Sequence, residues 1–345
     1  MKALVYLGPH KKALEDKPMP VMIESTDAVV RVTKTTICGS DLHILKGDVP
    51  TVTQGRIIGH EGVGVIEEVG TSVNNFKKGD HVIISCITSC GKCDNCKKGM
   101  YSHCDKGGWI LGNTIDGCQA EFVRIPFADN SLYHIPKGSD EEALVMLSDI
   151  LPTGFECGVL NGQVKPGDVV AIVGAGPVGL AALLTAQFYT PSRIIMIDQD
   201  DNRLAVAKNF GASDVINSKS GNAKQKVMEL TDNKGVDVSI EAVGIPETLE
   251  LCIDIIAAGG HIANIGVHGK SVLFHMENLW SHNITLTTRL VDTVSTPMLF
   301  KTVQAKKLNA NQLITHHFTL DEIMKAYDTF ENAAKEKALK VIITN

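Results

Sequence analysis

Three short stretches of this 345-residue chain carry side chains of the kinds that bind metal, move protons or hold phosphates. Cys38-Gly39-Ser40-Asp41-Leu42-His43 precedes Gly59-His60-Glu61. A thiolate with an imidazole is a common pair of ligands for a zinc ion that keeps an open coordination position. Such an ion needs a third protein ligand. Asp149 is the candidate, because an unpaired carboxylate between Leu147 and Ile150 is costly unless a metal or a donor meets it. Glu61 could substitute for it, or join as a ligand when water leaves.

The second stretch is Cys90, Cys93, Cys96 and Cys104, spaced C-x2-C-x2-C-x7-C. One loop with these spacings can wrap a tetrahedral ion in four thiolates. The shell is then closed, so this zinc would stabilise its lobe and perform no chemistry. Free loop thiols and an iron-sulfur cluster are the alternatives. Nine cysteines, four of them crowded here, suit metal ligation in a reducing compartment better than disulfides. Cys86, Cys118 and Cys157 stand alone and are expected as buried thiols.

The third stretch, Gly174-Ala175-Gly176-Pro177-Val178-Gly179, follows an apolar strand and opens a helix. Its glycines let the backbone approach a pyrophosphate at the helix N-terminus. Asp198 ends the next strand, where a carboxylate accepts from the adenosine ribose hydroxyls. Its charge repels a 2′-phosphate, and Gln199 and Asp200 offer no arginine to hold one, so NAD is expected over NADP. The alternative is a plain strand-to-helix turn with Asp198 as a helix cap. Arg203 is either a group on the adenosine side or a solvated helix residue.

Two kinds of element must position these groups. Up to about Ile125 the apolar residues come in short runs (AVVRV, GVGVIEEVG, HVIIS) broken by Gly, Pro, Asn and Asp, the texture of an irregular strand-rich domain. From Pro166 onward, DVVAIV, RIIMID, VDVSIEAVG and HIANIGV alternate with helical stretches, which predicts an α/β domain with a doubly wound parallel sheet. The expected division is residues 153–294 for the cofactor domain and 1–152 with 295–345 for the metal-binding one. The tail reads as two helices, Thr296 to Ala305 and Asp321 to Asn332, and a last strand, LKVIIT, packing back on the first domain.

The composition, 44% apolar, supports substantial cores. The 33 basic and 39 acidic residues are interspersed, which argues against nucleic acid as a partner. The N-terminal segment turns polar within eight residues and carries no export signal, so a cytoplasmic location is expected. Val169 to Tyr189 is long and uncharged, but its glycines and Pro177 make it strand, turn and helix, and no membrane partner is expected.

These residues, in this order, resemble the zinc-containing medium-chain alcohol dehydrogenases over essentially the whole chain. The pattern is closest to bacterial secondary alcohol dehydrogenases, which carry Asp as a catalytic-zinc ligand where longer animal enzymes carry Cys. The resemblance implies a GroES-like catalytic domain beside a Rossmann cofactor domain. It implies two zinc ions per chain, one on Cys38, His60 and Asp149 and one on the four-cysteine loop. Zinc acts as a Lewis acid that lowers the pKa of a bound alcohol, much as it lowers that of water from 15.7 to about 7. Ser40 would accept the alcohol proton and pass it, through a ribose hydroxyl, to His43, since an imidazole suits exchange near neutrality.

Further implications concern the pocket and cofactor. Backbone groups of Ile265, Gly266 and Val267 should face the nicotinamide amide, and Lys340 should meet the pyrophosphate. Trp109 should wall the substrate pocket, with Ile87 and Leu290 as neighbours. The expected activity is hydride transfer between small secondary alcohols or ketones and NAD. A polyol, amino-alcohol or thiol-adduct dehydrogenase is the alternative, and a non-catalytic dinucleotide-binding protein the remote one. The family likeness also implies a homo-oligomer, a tetramer before a dimer.

Overall fold

The computed structural model describes all 345 residues, which form two compact units. The first comprises Met1–Asp149 and Asp292–Asn345, and the second Ile150–Val291. Both crossings thus fall three residues before the expected 152/153 and 294/295. The cause at the first is the helix Ile150–Thr153, which packs on the helix Pro177–Ala186 of the second unit. At the other crossing, Asp292 Oδ1 accepts from Ser102 N at 2.8 Å and from Ser102 Oγ at 2.7 Å, which ties it to the first unit.

The first unit is built on a seven-stranded sheet. Along it lie Ile314–Thr319, Lys340–Thr344, Ala28–Thr36, Gly62–Val69, His81–Ile84 and Leu132–Ile135, with Phe122–Ile125 also paired to Ala28–Thr36. The last strand enters antiparallel to Ala28–Thr36, with Ile342 opposite Thr36. One core gathers Val30, Val32, Ile66, Val82, Ile84, Val123 and Ile125. Another gathers Leu4, Ile37, Ile44, Ile58, Tyr327, Val341 and Ile343. Each such side chain, removed from water, contributes about 1.5–3 kcal/mol. β-branched residues dominate these strands because they fit a pleated, half-buried surface.

The second unit is a six-stranded, wholly parallel sheet in the order Asp214–Asn217, Arg193–Asp198, Val169–Val173, Val236–Glu241, Ile256–Asn264, Thr285–Thr288. The chain moves outward one way from Val169–Val173 and the other way from Val236–Glu241, which is the doubly wound arrangement. The helix Pro177–Ala186 is buried from Gly179 to Ala186, so its apolar character serves the core. No helix of the structure is long and apolar enough to cross a membrane.

Candidate functional site

Strand Ala28–Thr36 delivers the chain to Cys38, which caps the helix Gly39–Lys46. The Cys38 N–H donates to Asp41 Oδ2 at 2.9 Å, and a reciprocal capping pair fixes the turn that aims the thiol. His60 follows Gly59, which sits at φ +94°, where a Cβ would come 2.5 Å from Gln119 Cγ. Only glycine allows the chain that close.

His60 Nε2 lies 3.2 Å from Asp149 Oδ2, and the Cys38 thiol donates to the same oxygen at 3.7 Å. Cys38, His60, Glu61 and Asp149 bring one donor atom each within 4.8 Å of one another. Burial pushes the Cys38 thiol up, and Asp149 and Glu61 push it further. Burial pulls the His60 imidazole down, but Asp149 and Cys38 outweigh it and hold the ring well above its usual value. Three acidic donors crowded in a buried site call for a cation, and sulfur, nitrogen and oxygen donors together suit zinc.

Glu61 is buried and both its oxygens accept from Lys340 Nζ, at 2.7 and 3.0 Å. The third Lys340 donor goes to Ile37 O at 3.0 Å. This corrects the expected role of Lys340. Its ammonium is 1% exposed and all three N–H donors are used, so none is left for a pyrophosphate. Sequence reasoning also missed the residues behind His60. Asp41 Oδ1 lies 3.8 Å from His60 Nδ1, Asp41 Oδ2 accepts from Gln119 Nε2 at 3.0 Å, and Tyr327 Oη donates to Gln119 Oε1 at 2.7 Å. The signal for Asp41 was present: it stands three residues after the capping Cys38, where a carboxylate closes the turn.

Ser40 and His43 share a face of the helix Gly39–Lys46 at i and i+3. Ser40 Oγ is buried and meets no protein partner, while His43 Nδ1 lies 3.0 Å from Asp48 Oδ2, leaving Nε2 as the ring atom available. Trp109 stands edge-on to His60, with ring centroids 5.9 Å apart, and packs against the core that contains Ile37 and Ile44. Ile87 is buried and follows Cys86, whose backbone N–H donates to Ser148 O at 3.1 Å. Leu290 belongs to the second unit and is 44% exposed. Cys86, Cys118 and Cys157 are buried thiols.

The four-cysteine loop brings the sulfurs of Cys90, Cys93, Cys96 and Cys104 within 4.8 Å of one another, and Cys90 and Cys96 are 4.0 Å apart. Ligand bonds of ~2.3 Å in a tetrahedron require about that sulfur separation. The N–H groups of Asp105 and Cys96 bring the Cys93 thiol down to about 6, while burial carries Cys96 up to about 12. A cation between them would favour thiolate at all four.

In the second unit Gly174 turns at φ +108°, and a Cβ on Gly179 would stand 1.8 Å from Gly174 O. Pro177 occupies the first turn of the helix, followed by Val178, with Gly176 as the cap. Asp198 Oδ2 accepts from Ala175 N at 2.7 Å and Oδ1 from Asp200 N at 2.8 Å, so the carboxylate braces the glycine turn. The nearest atom to a Cβ on Gly176 would be Arg203 Nη1, at 3.9 Å, and Arg203 Nε is buried without a partner. Ile265, Gly266 and Val267 follow the strand Ile256–Asn264.

One unit with two metal-ligand clusters and another with a doubly wound sheet and glycine turn make the scaffold of a metal-dependent dehydrogenase. Residues 24–137 match the alcohol dehydrogenase GroES-like domain family and residues 177–305 the zinc-binding dehydrogenase family. The solved zinc-dependent alcohol dehydrogenase 2 from Streptococcus pneumonia, in its apo form, is 56% identical with a TM-score of 0.96, covering 100% of this chain and 98% of that one. An alcohol dehydrogenase of Cupriavidus necator is 35% identical across 99% of this chain and 98% of its own. The NADP-dependent isopropanol dehydrogenase of Thermoanaerobacter brockii is 32% identical, with the same coverage. The chain belongs to the zinc-containing medium-chain alcohol dehydrogenase family and is an oxidoreductase.

Proposed function

We propose that this chain interconverts small secondary alcohols and ketones with NAD as the hydride carrier. The observation that carries this reading is the convergence of Cys38, His60, Glu61 and Asp149 within 4.8 Å, with the buried, unpartnered hydroxyl of Ser40 two residues after Cys38 in the chain. Cys38, His60 and Asp149 would hold a catalytic zinc and the four-cysteine loop a structural one, two per chain. Bound there, zinc polarises an alcohol or carbonyl oxygen and the nicotinamide exchanges the hydride.

Ser40 Oγ would take the alcohol proton during oxidation and His43 Nε2 would exchange it with solvent, with a ribose hydroxyl of the bound nicotinamide nucleotide linking the two. Asp48 fixes the His43 ring by holding Nδ1. Ketone reduction runs the path backward. Trp109 and Ile87 would give the substrate an apolar wall, which suits simple alcohols because polyols need several placed donors and acceptors, and Leu290 of the second unit is the further apolar candidate. Arg203 would serve the adenosine side, Asp198 the adenosine ribose, and the Ile265–Val267 backbone the nicotinamide amide. The Asp198 charge favours NAD, in contrast to the Thermoanaerobacter brockii relative. The chain works as a cytoplasmic homo-oligomer, a tetramer before a dimer.

The test is metal content per chain measured with initial rates of 2-propanol and 2-butanol oxidation by NAD and by NADP. Two zinc ions and faster NAD-linked turnover support the reading. Faster turnover with NADP overturns the cofactor choice, and two zinc ions without turnover on either alcohol overturn the substrate class.

A further inference from the structure

Glu241 is a charged group at the carboxyl edge of the second unit's sheet that the proposed chemistry does not use. It ends the strand Val236–Glu241 and is fully buried. Its Oε1 accepts from Val243 N and Gly244 N, both at 2.9 Å, and from Thr248 Oγ1 at 2.6 Å. Its Oε2 accepts no hydrogen bond, and His268 Nε2 stands 3.4 Å away. The same nitrogen is 2.8 Å from Asn264 Oδ1, while Asn264 Nδ2 donates to Gly266 O at 2.9 Å. Asn264 Oδ1 is therefore an acceptor, and His268 Nε2 carries a proton.

The main chain is drawn into the same knot. Ile265 N donates to Glu241 O at 2.8 Å. A Cβ on Gly266 would come 2.2 Å from both Glu241 Oε2 and Gly244 N. Two loops, one after each strand, are thus pinned to one carboxylate and one imidazole.

Strand order says what lies above these loops. In a doubly wound sheet the ligand crevice opens outside the carboxyl ends where the chain reverses direction, here between Val169–Val173 and Val236–Glu241. The glycine turn after Val173 and Asp198 at the end of Arg193–Asp198 take one half of a dinucleotide to one side. The other half must then run over the ends of Val236–Glu241 and Ile256–Asn264. There Val243, Ile245 and Val267 are 45%, 43% and 67% exposed, although Ile240 and Glu241, and Ile262 and Ala263, near the ends of the strands they follow are buried.

We propose that Glu241 and His268 are positioning residues that clamp these two loops, so that Val243 and Val267 present a fixed apolar face to the nicotinamide half of the cofactor. The proposal rests on the reading of the second unit as NAD-binding. Removing the His268 ring leaves Glu241 Oε2 buried without a facing donor, and the Ile265–Val267 loop must loosen to admit water. Binding the nicotinamide then has to re-order that loop.

The test compares NADH with ADP-ribose, which lacks the nicotinamide, by fluorescence titration of the full chain. His268→Ala should raise the Kd for NADH and the KM for NAD by about tenfold, the effect expected of one buried polar contact. It should leave the Kd for ADP-ribose and the KM for alcohol within about twofold. His268→Gln, whose amide can donate to both acceptors, should restore NADH binding. Unchanged NADH binding, or an equal loss for both ligands, would overturn the clamp. A wild-type protein that binds neither ligand would instead overturn the cofactor reading on which the clamp depends.

Discussion

Asp41 and His60 face each other across 3.8 Å, carboxylate Oδ1 to imidazole Nδ1, while His60 Nε2 looks the other way toward Asp149. The other oxygen of Asp41 holds the Cys38 backbone N–H and the Gln119 amide. One buried carboxylate therefore orients two of the zinc-ligand candidates. Asp41→Asn should weaken zinc retention at this site by roughly 10–100-fold, the usual effect of losing a partner behind a metal-bound histidine. Competition with a coloured chelator measures it. Retention equal to wild type would show that Asp41 does not position the ring.

Lys340 and Glu61 are each about 1% exposed and joined at 2.7 Å. Breaking a buried pair from one side leaves an uncompensated charge, so Lys340→Met should cost about 3–5 kcal/mol in denaturant unfolding. Adding Glu61→Gln should recover most of that loss, because the orphaned charge goes with it. If the double variant is no more stable than Lys340→Met, lost packing of the lysine stem rather than charge explains the cost.

Glu142 ties three elements together, 2.8 Å from His317 Nε2 and 3.2 Å from Lys34 Nζ. Burial raises its carboxyl, but the bonds from His317 and Lys34 outweigh that and hold it below its ordinary 4.5. The sign follows: the carboxylate's contribution is complete above the ordinary value and fades as pH falls through the lowered one. Glu142→Gln should therefore shrink the loss of unfolding free energy between pH 6 and pH 3 by a few tenths of a kcal/mol, the scale of a partly exposed ion pair. An unaltered pH dependence would mean that the pair contributes nothing to folding.

The four-cysteine loop should behave as a stability element. Cys93→Ser should remove one zinc per chain and lower Tm by about 5–10 °C, given that a unit of this size shifts a few degrees per kcal/mol. The second zinc should stay bound. Loss of both ions together would show that the two clusters are not independent.

For the relay, Ser40→Ala should lower kcat by about 100-fold, the low end of what a positioned proton acceptor supplies. His43→Ala should slow turnover chiefly at low pH, where hydroxide cannot replace it. Both should keep their zinc. A pH profile for His43→Ala that overlays wild type would remove His43 from the path.

Much of this was legible in the sequence for a physical reason. The two clusters of candidate metal ligands and the glycine turn combine reactive residue types with short, fixed spacings, and the parallel sheet announces itself through buried strands alternating with helices. What stayed hidden depends on contacts between distant positions. Lys340 reads as a solvated or phosphate-facing cation until the last strand is laid beside Ala28–Thr36, which brings its ammonium to Glu61. Gln119 and Tyr327 carry no local signal, since their hydrogen bonds to Asp41 and to each other span 78 and 208 positions. The second unit boundary lies before Asp292 rather than after it because Asp292 is claimed by Ser102, 190 positions away.

The Glu61–Lys340 pair spans 279 positions, with the whole second unit between its partners in the chain. During synthesis from the N-terminus, the loop of Cys90 to Cys104 is complete as soon as one short segment has left the ribosome. Glu61, beside His60, must wait for its counter-charge until the strand Lys340–Thr344 has been made and has docked. The two clusters of candidate metal ligands thus mature on different clocks: one closes within a local loop, and the other reaches its final electrostatic state only when the chain returns to the sheet where it began.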